Sequence, residues 1–255
     1  MKDQSVGFIG TGHLASYVIR GLRNAGDNRT INVSPRNAQT AETLKLSANC
    51  NIAESNQQLI DSSDVIILSL RPDQVGNVLT DCTFKPGQLL ISCVAGISSD
   101  TLSALAPNTR IVRAMPVSSV EFGEGATPLY PAHEFSRTLF GQISTPVELE
   151  NERGFEIALT AACANGWFYQ LFEQLEQWMV NEDIDARAAR CLMLNAAKSA
   201  AVYGLRQQDQ PLGEILEGIA TEGTYTKLGL EQLKQQDAFS AWDEACDSVK
   251  EKLFP

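Results

Sequence analysis

Val6-Gly7-Phe8-Ile9-Gly10-Thr11-Gly12-His13-Leu14-Ala15 is the stretch that decides the fold. The apolar run Val6 to Ile9 reads as a strand. A glycine turn follows, then a helix-like stretch from Ala15 to Ala25, and Ile31-Asn32-Val33 reads as the next strand. The glycines fit G-x-G-x-x-G/A inside one strand–turn–helix–strand unit of about 30 residues. Gly10 permits a tight turn, Gly12 lets backbone approach a pyrophosphate, and Ala15 keeps the helix close to the sheet. The free N–H groups at the helix start supply a local positive potential. A glycine-rich turn alone occurs in other α/β proteins; the complete unit makes a dinucleotide site the expectation.

The end of the second strand bears on which dinucleotide. Enzymes that use NAD place Asp or Glu there to accept hydrogen bonds from ribose hydroxyls. This chain has Ser34-Pro35-Arg36-Asn37. A hydroxyl and a forked, permanently charged guanidinium suit a 2′-phosphate. NADPH is therefore expected, with NADH as an alternative; Arg36 has a second reading as a solvated surface residue.

Further along, Asp64 to Leu70, Leu89 to Val94 and Arg110 to Ala114 read as strands. Continuous rather than alternating apolar character suits a parallel sheet covered on both faces. After Thr145-Pro146 the pattern changes: Ile157, Ala161, Phe168, Leu171, Phe172, Leu175, Trp178 and Met179 recur at helical spacing. A second helix starting near Asp183 carries many alanines, which predicts a central place in a bundle. Two more are expected around Leu228 to Gln236 and Ala238 to Leu253. The predicted fold is an N-terminal Rossmann-type, doubly wound parallel sheet over residues 1–150, followed by an all-α bundle over residues 151–255. A helical bundle this small predicts burial against a partner chain, as a homodimer or a larger homo-oligomer through its C-terminal helices.

The formal net charge is −11, so a nucleic-acid backbone or an anionic membrane is an unfavourable partner, and an anionic ligand must find a local positive field. The N-terminus offers no signal-peptide pattern and no apolar run has bilayer-spanning length, so the cytoplasm is the expected compartment. Six scattered cysteines (Cys50, Cys82, Cys93, Cys163, Cys191, Cys246) and two histidines form no metal-ligand spacing, so no metal site is expected. The cysteines read mostly as small buried apolar residues. His13 reads as a loop residue near the pyrophosphate or a loop filler, and His133, at a predicted helix start, as a surface residue.

Beyond these readings, several blocks carry a resemblance. Gly7 to Ala15, Asp64 to Pro72, Ser92 to Ile97, Arg113-Ala114-Met115-Pro116 and Gly123-Glu124-Gly125-Ala126-Thr127 resemble, in content and spacing, the pyrroline-5-carboxylate reductase family. The resemblance implies NAD(P)H-dependent reduction of a cyclic imine, pyrroline-5-carboxylate, to proline, with a helical C-terminal domain that interlocks with a second subunit. It implies that Gly10, Thr11, Gly12, His13, Leu14, Ser34 and Asn56 bind the adenosine and phosphates. Leu70, Arg71, Pro72 and Ala95 would line the nicotinamide side, Arg71 standing where the family usually has Lys.

The C-terminal half departs from that pattern. M-P-N-T-P reads Met115-Pro116-Val117-Ser118-Ser119, which loses an amide. S-G-S-G-P-A-Y reads Cys163-Ala164-Asn165-Gly166-Trp167-Phe168-Tyr169, which adds bulk. S-P-G-G-T-T reads Thr221-Glu222-Gly223-Thr224-Tyr225-Thr226. In the family the last segment opens a helix that holds the substrate carboxylate, so Glu222 would bring a like charge there. Imine reduction needs no strong acid or base from the protein, because a nicotinamide supplies hydride and a protonated C=N is already electrophilic. Thr226 is the expected polar partner at the imine, its other reading being a helix-capping hydroxyl. Asn165, Thr221, Gly223, Thr224 and Tyr225 are the expected substrate-side set. A β-hydroxyacid dehydrogenase is disfavoured because no Lys lies between Gly154 and Asn181. A reductase of a different imine or ketimine, and a nucleotide-binding relative without turnover, remain as alternatives.

Overall fold

The structure is a computed structural model, and it describes residues 4–254. An eight-stranded sheet organises the first part of the chain. Its strands are β1 (Val6–Ile9), β2 (Ile31–Val33), β3 (Asn51–Ile52), β4 (Val65–Leu68), β5 (Leu89–Ser92), β6 (Arg110–Ala114), β7 (Ala126–Tyr130) and β8 (Thr145–Glu148). They lie in the order β3-β2-β1-β4-β5-β6-β7-β8. Every pairing is parallel except β6 with β7. Helices α1 (His13–Asn24), α2 (Ala38–Ala48), α3 (Asn56–Asp61), α4 (Pro72–Leu79), α5 (Ser99–Leu105) and α6 (Glu134–Phe140) connect the strands.

All four residues of β1, β4 and β5 are buried, because helices cover both faces of the sheet. One core gathers Phe8, Ile19, Leu22, Ile67, Ile91 and Phe140; the opposite face gathers Ile9, Leu59, Ile66, Leu79, Leu90 and Leu102. Strand order reverses direction at β1 and β4. In an open α/β sheet that is where the carboxyl ends of the strands leave a ligand crevice.

The helical region holds α7 (Glu152–Asn181), α8 (Ala186–Arg206), α9 (Leu212–Ile219), α10 (Tyr225–Gln235) and α11 (Ser240–Leu253). Compactness divides the chain between Ala162 and Cys163, so the first turns of α7 belong with the sheet. Within one chain, Ala189 is the single fully buried residue among the described residues of α8, so the central place expected for this helix does not hold there. Small side chains allow close packing, but no element of the same chain covers most of this one. Among the described residues no helix is long and apolar enough to cross a membrane.

Two further expectations change. Only Cys50 and Cys93 are buried; Cys82, Cys163 and Cys246 are half-buried and Cys191 is exposed. His133 is not a bare surface residue: its Nδ1 accepts the Phe135 N–H at 3.1 Å, and Ser136 Oγ accepts the His133 N–H at 3.1 Å. Together they cap α6 reciprocally.

Candidate active site

A cavity of about 570 Å³ opens at the carboxyl ends of the central strands, a size ordinary for cofactor sites. Gly10, Thr11, Gly12, His13 and Leu14 line it after β1; Arg36, Asn37 and Ala38 after β2; Ser69, Leu70, Arg71 and Gln74 after β4; and Cys93 after β5. Two helix starts, those of α1 and α2, therefore border one cavity, and their unsatisfied N–H groups favour anions. Among the described residues the lining includes two guanidiniums and no carboxylate, against a chain charge of −11.

The glycine loop is shaped by its own backbone needs. Gly10 has φ +98°, and a Cβ there would lie 2.1 Å from the Ser69 carbonyl oxygen. Gly12 has an ordinary φ of −86°, and a Cβ there would meet nothing within 4 Å. The first glycine serves the fold, and the second keeps space open above the helix start. Thr11 Oγ1 is buried without a hydrogen-bond partner among the described residues. Buried hydroxyls are ordinarily satisfied, so this orphan beside the cavity suits a ligand oxygen. The loop, its orphan hydroxyl and the basic lining together fit a phosphate-bearing dinucleotide.

Several expected cofactor residues sit elsewhere. Ser34 is buried outside the lining, and its Oγ accepts the Gly10 N–H at 3.0 Å, so it braces the loop. Asn56 begins α3, and Pro72 occupies the first turn of α4; neither lines the cavity. Ala95 is exposed in the turn after β5, where Cys93 takes the place at the cavity wall. Burial pushes the Cys93 thiol up to about 12, so it stands as a neutral wall residue rather than a nucleophile. Asn37, Ala38, Ser69, Gln74 and Cys93 were not among the expected residues. They carry no motif, although most follow the carboxyl end of a strand, which was the available signal. Asn37 also ties the two helix starts: its Nδ2 donates to the Thr11 carbonyl at 3.3 Å and its Oδ1 accepts the Thr40 N–H at 3.3 Å.

In the second unit, α10 is capped by Thr224, not Thr226. Thr224 Oγ1 accepts the Lys227 N–H at 3.2 Å and donates to the Thr221 carbonyl at 2.7 Å. Thr226, two places into the helix, is exposed, and its hydroxyl makes no hydrogen bond among the described residues. Glu222 is 93% exposed and pairs with Lys227 Nζ at 3.3 Å; Glu231 lies 3.8 Å from the same ammonium. Asn165 is half-buried on α7, while Thr221, Gly223 and Tyr225 are exposed around the α10 start.

Residues 156–253 match the family model described as pyrroline-5-carboxylate reductase dimerisation, and residues 5–96 match one described as NADP oxidoreductase coenzyme F420-dependent. A pyrroline-5-carboxylate reductase of Pasteurella multocida is 25% identical, the match covering 99% of this chain and 97% of that protein. One of Haemophilus influenzae is 28% identical over 90% of this chain and 89% of its own length.

The whole chain is thus similar to pyrroline-5-carboxylate reductases, and its helical region matches their dimerisation model.

Two solved members of that family share its fold. The Streptococcus pyogenes enzyme superposes with a TM-score of 0.87 at 23% identity, covering 99% of both chains. The Plasmodium falciparum enzyme, solved with NADP bound, gives 0.87 at 22% identity, covering 99% of this chain and 98% of its own. Set beside the family's segments, the departures find partners within the second unit. Trp167 and Phe168 pack on Trp242 of α11 with ring centroids 6.3 and 5.7 Å apart, and Glu222 has its ammonium.

Proposed function

We propose that this chain reduces the C=N bond of pyrroline-5-carboxylate to give proline, using NADPH, as a homodimer formed through its C-terminal helices in the cytoplasm. The observation that carries the proposal is the carboxylate-free, doubly helix-capped cavity of the glycine loop in a chain whose relatives along its whole length are reductases of this imine.

When bound, the reduced nicotinamide supplies the hydride. The chain's residues bind and orient. The N–H groups of Thr11 to Leu14 take the pyrophosphate, and Thr11 Oγ1, which has no partner among the described residues, donates to one of its oxygens. Arg36 and the start of α2 take the 2′-phosphate, and Ser34 serves this site by holding Gly10. Leu70, Arg71, Pro72 and Ala95 are assigned to the nicotinamide side and Asn56 to the adenosine side. In the second unit Thr226 offers its unused hydroxyl as the hydrogen-bond partner of the imine nitrogen. The start of α10, from Thr221 to Tyr225, takes the substrate carboxylate, with Asn165 at its rim.

Exposed apolar side chains on the helical region, among them Trp178, Leu192, Leu205 and Leu212, support the homodimer, because a face of this kind is covered in an assembly. The test is NADPH consumption on addition of pyrroline-5-carboxylate, with proline identified as product. Turnover with NADPH well above that with NADH is expected. Turnover only with other cyclic imines would replace the substrate assignment, and tight NADPH binding without any turnover would replace the activity.

A further inference from the structure

At the carboxyl end of β6, Arg113 is the largest fully buried side chain among the described residues. Its Nη1 donates to Glu152 Oε1 at 2.9 Å and to Glu156 Oε1, and its guanidinium lies 4.5 Å from the centroid of the Phe155 ring. Glu152 Oε1 also accepts the Ser99 N–H at 2.7 Å and the Ser99 hydroxyl at 2.8 Å. Burial pulls the Glu152 carboxyl upward, but the Ser99 hydrogen bonds and then Arg113 outweigh it and hold it below the usual range. Three acceptor contacts thus converge on one oxygen, all within the sheet-bearing unit.

Ser99 closes the loop that begins at Cys93, the residue at the cavity wall after β5. The near end of this loop is fixed by the Cys93 N–H on the Leu68 carbonyl at 2.8 Å, and by the Val94 N–H on Ser92 Oγ at 3.3 Å. Between the two anchors the backbone turns at Ala95-Gly96, with Gly96 at φ +69°. Arg113 and Ser92 are register partners across β5 and β6, so the near anchor and the guanidinium share one sheet position.

We propose that Arg113 and Glu152, with Glu156 accepting from the same guanidinium nitrogen, are positioning residues that fix the far end of loop 93–98 and thereby the nicotinamide-side wall of the cofactor cavity. This rests on the cofactor reading above. A surface loop of six residues pinned at one end only would sample many conformations, and ordering it on binding would weaken the affinity for whatever the loop touches. The adenosine and phosphate end, held by the first and second βα turns, would be untouched.

The experiment compares equilibrium binding of NADPH and of adenosine 2′,5′-bisphosphate, which lacks the nicotinamide, to the full chain and to Glu152→Ala. Three lost hydrogen bonds to a charged acceptor should weaken NADPH by about tenfold or more, with the bisphosphate changed by less than about twofold. Glu152→Gln, which keeps an acceptor for Ser99, should recover part of the loss. If Glu152→Ala does not fold, Ser99→Ala should show the same contrast at about fivefold or less. Equal weakening of both ligands, or none of either, overturns the proposal. Failure of the unsubstituted chain to bind either ligand overturns the cofactor reading itself and the brace with it.

Discussion

Gly10 and Gly12 lie two residues apart in the same loop, yet alanine should act on them in opposite ways. At Gly10 a new Cβ would sit 2.1 Å from the Ser69 carbonyl oxygen and 2.8 Å from Leu70 Cδ2, on a backbone with φ +98°. Strained backbone and overpacking each cost about 1–3 kcal/mol. A combined loss of about 3–4 kcal/mol corresponds to a fall of roughly 10 °C in the unfolding midpoint. At Gly12 the φ of −86° suits any residue and nothing lies within 4 Å, so stability should change by about 0.5 kcal/mol or less. The methyl would instead stand in the open space above the helix start. Losing one or two charge-assisted hydrogen bonds to a phosphate costs about 2–3 kcal/mol, a rise of about 30- to 150-fold in Kd for NADPH. Circular dichroism melts read the first effect and titration calorimetry the second. If Gly12→Ala binds NADPH as the unsubstituted chain does, phosphates do not sit on this loop. A Gly10→Ala variant with an unchanged midpoint would refute the steric argument.

Arg36→Leu should raise the KM for NADPH by about tenfold while leaving that for NADH nearly unchanged, read by steady-state kinetics with each cofactor. Lys227→Met leaves Glu222 uncompensated at the start of α10 and should raise the KM for pyrroline-5-carboxylate by about tenfold, with Glu222→Gln changing it by less than about threefold; 1-pyrroline, which lacks the carboxylate, should be indifferent to both. The Asp27 carboxyl is raised by burial but lowered further by Arg29 and Gln142, so its folded pKa lies below the unfolded value of about 3.9. Its contribution is therefore present above that unfolded value and is lost as pH falls through the folded one; melts in acid should show this, and Asp27→Asn should remove it while costing about 3 kcal/mol at neutral pH by stranding buried Arg29.

The Rossmann half was legible because its signals are local. Val6 to Ile9, Ile31 to Val33 and Arg110 to Ala114 form strands with the expected ends. β7 and β8 were missed: Ala126-Thr127-Pro128-Leu129-Tyr130 and Thr145-Pro146-Val147-Glu148 each carry a proline, which speaks against a strand. The sheet accommodates them by reversing direction at β7 and placing β8 at its edge, an arrangement set by tertiary packing. Around the site, the glycine loop and Arg36 were readable from motif and charge. Ser34 was read as a hydroxyl for the 2′-phosphate, but that hydroxyl is turned inward to Gly10, a direction that spacing does not encode. Arg113 belongs to a recognisable block, yet its carboxylate partners lie 39 and 43 residues away and share no motif with it.

The substrate-side segments show why a mismatch in a motif is a poor measure of lost function. Taken one at a time, Glu222, Trp167 and Phe168 put charge and bulk where the family keeps small, neutral residues. An isolated change of that kind would leave a carboxylate without a counter-charge and rings without a surface. Neither condition holds: Lys227, in the first turn of α10, meets Glu222, and Trp242, on α11, meets both rings. Each departure is therefore half of a pair whose other half lies outside the motif, where a motif comparison does not look. What a pair absorbs is unavailable to a substrate; what remains unpaired is available. At the start of α10 that remainder is the Thr226 hydroxyl and the Tyr225 ring, 93% exposed. In the proposed site Thr226 is the partner assigned to the imine, and Tyr225 brings an aromatic ring to a position the family gives to a smaller side chain. Discrimination among imines by this chain should accordingly follow Tyr225 rather than Glu222: Tyr225→Thr should shift the ratio of kcat/KM between pyrroline-5-carboxylate and a bulkier cyclic imine, and Glu222→Gln should leave that ratio where it was.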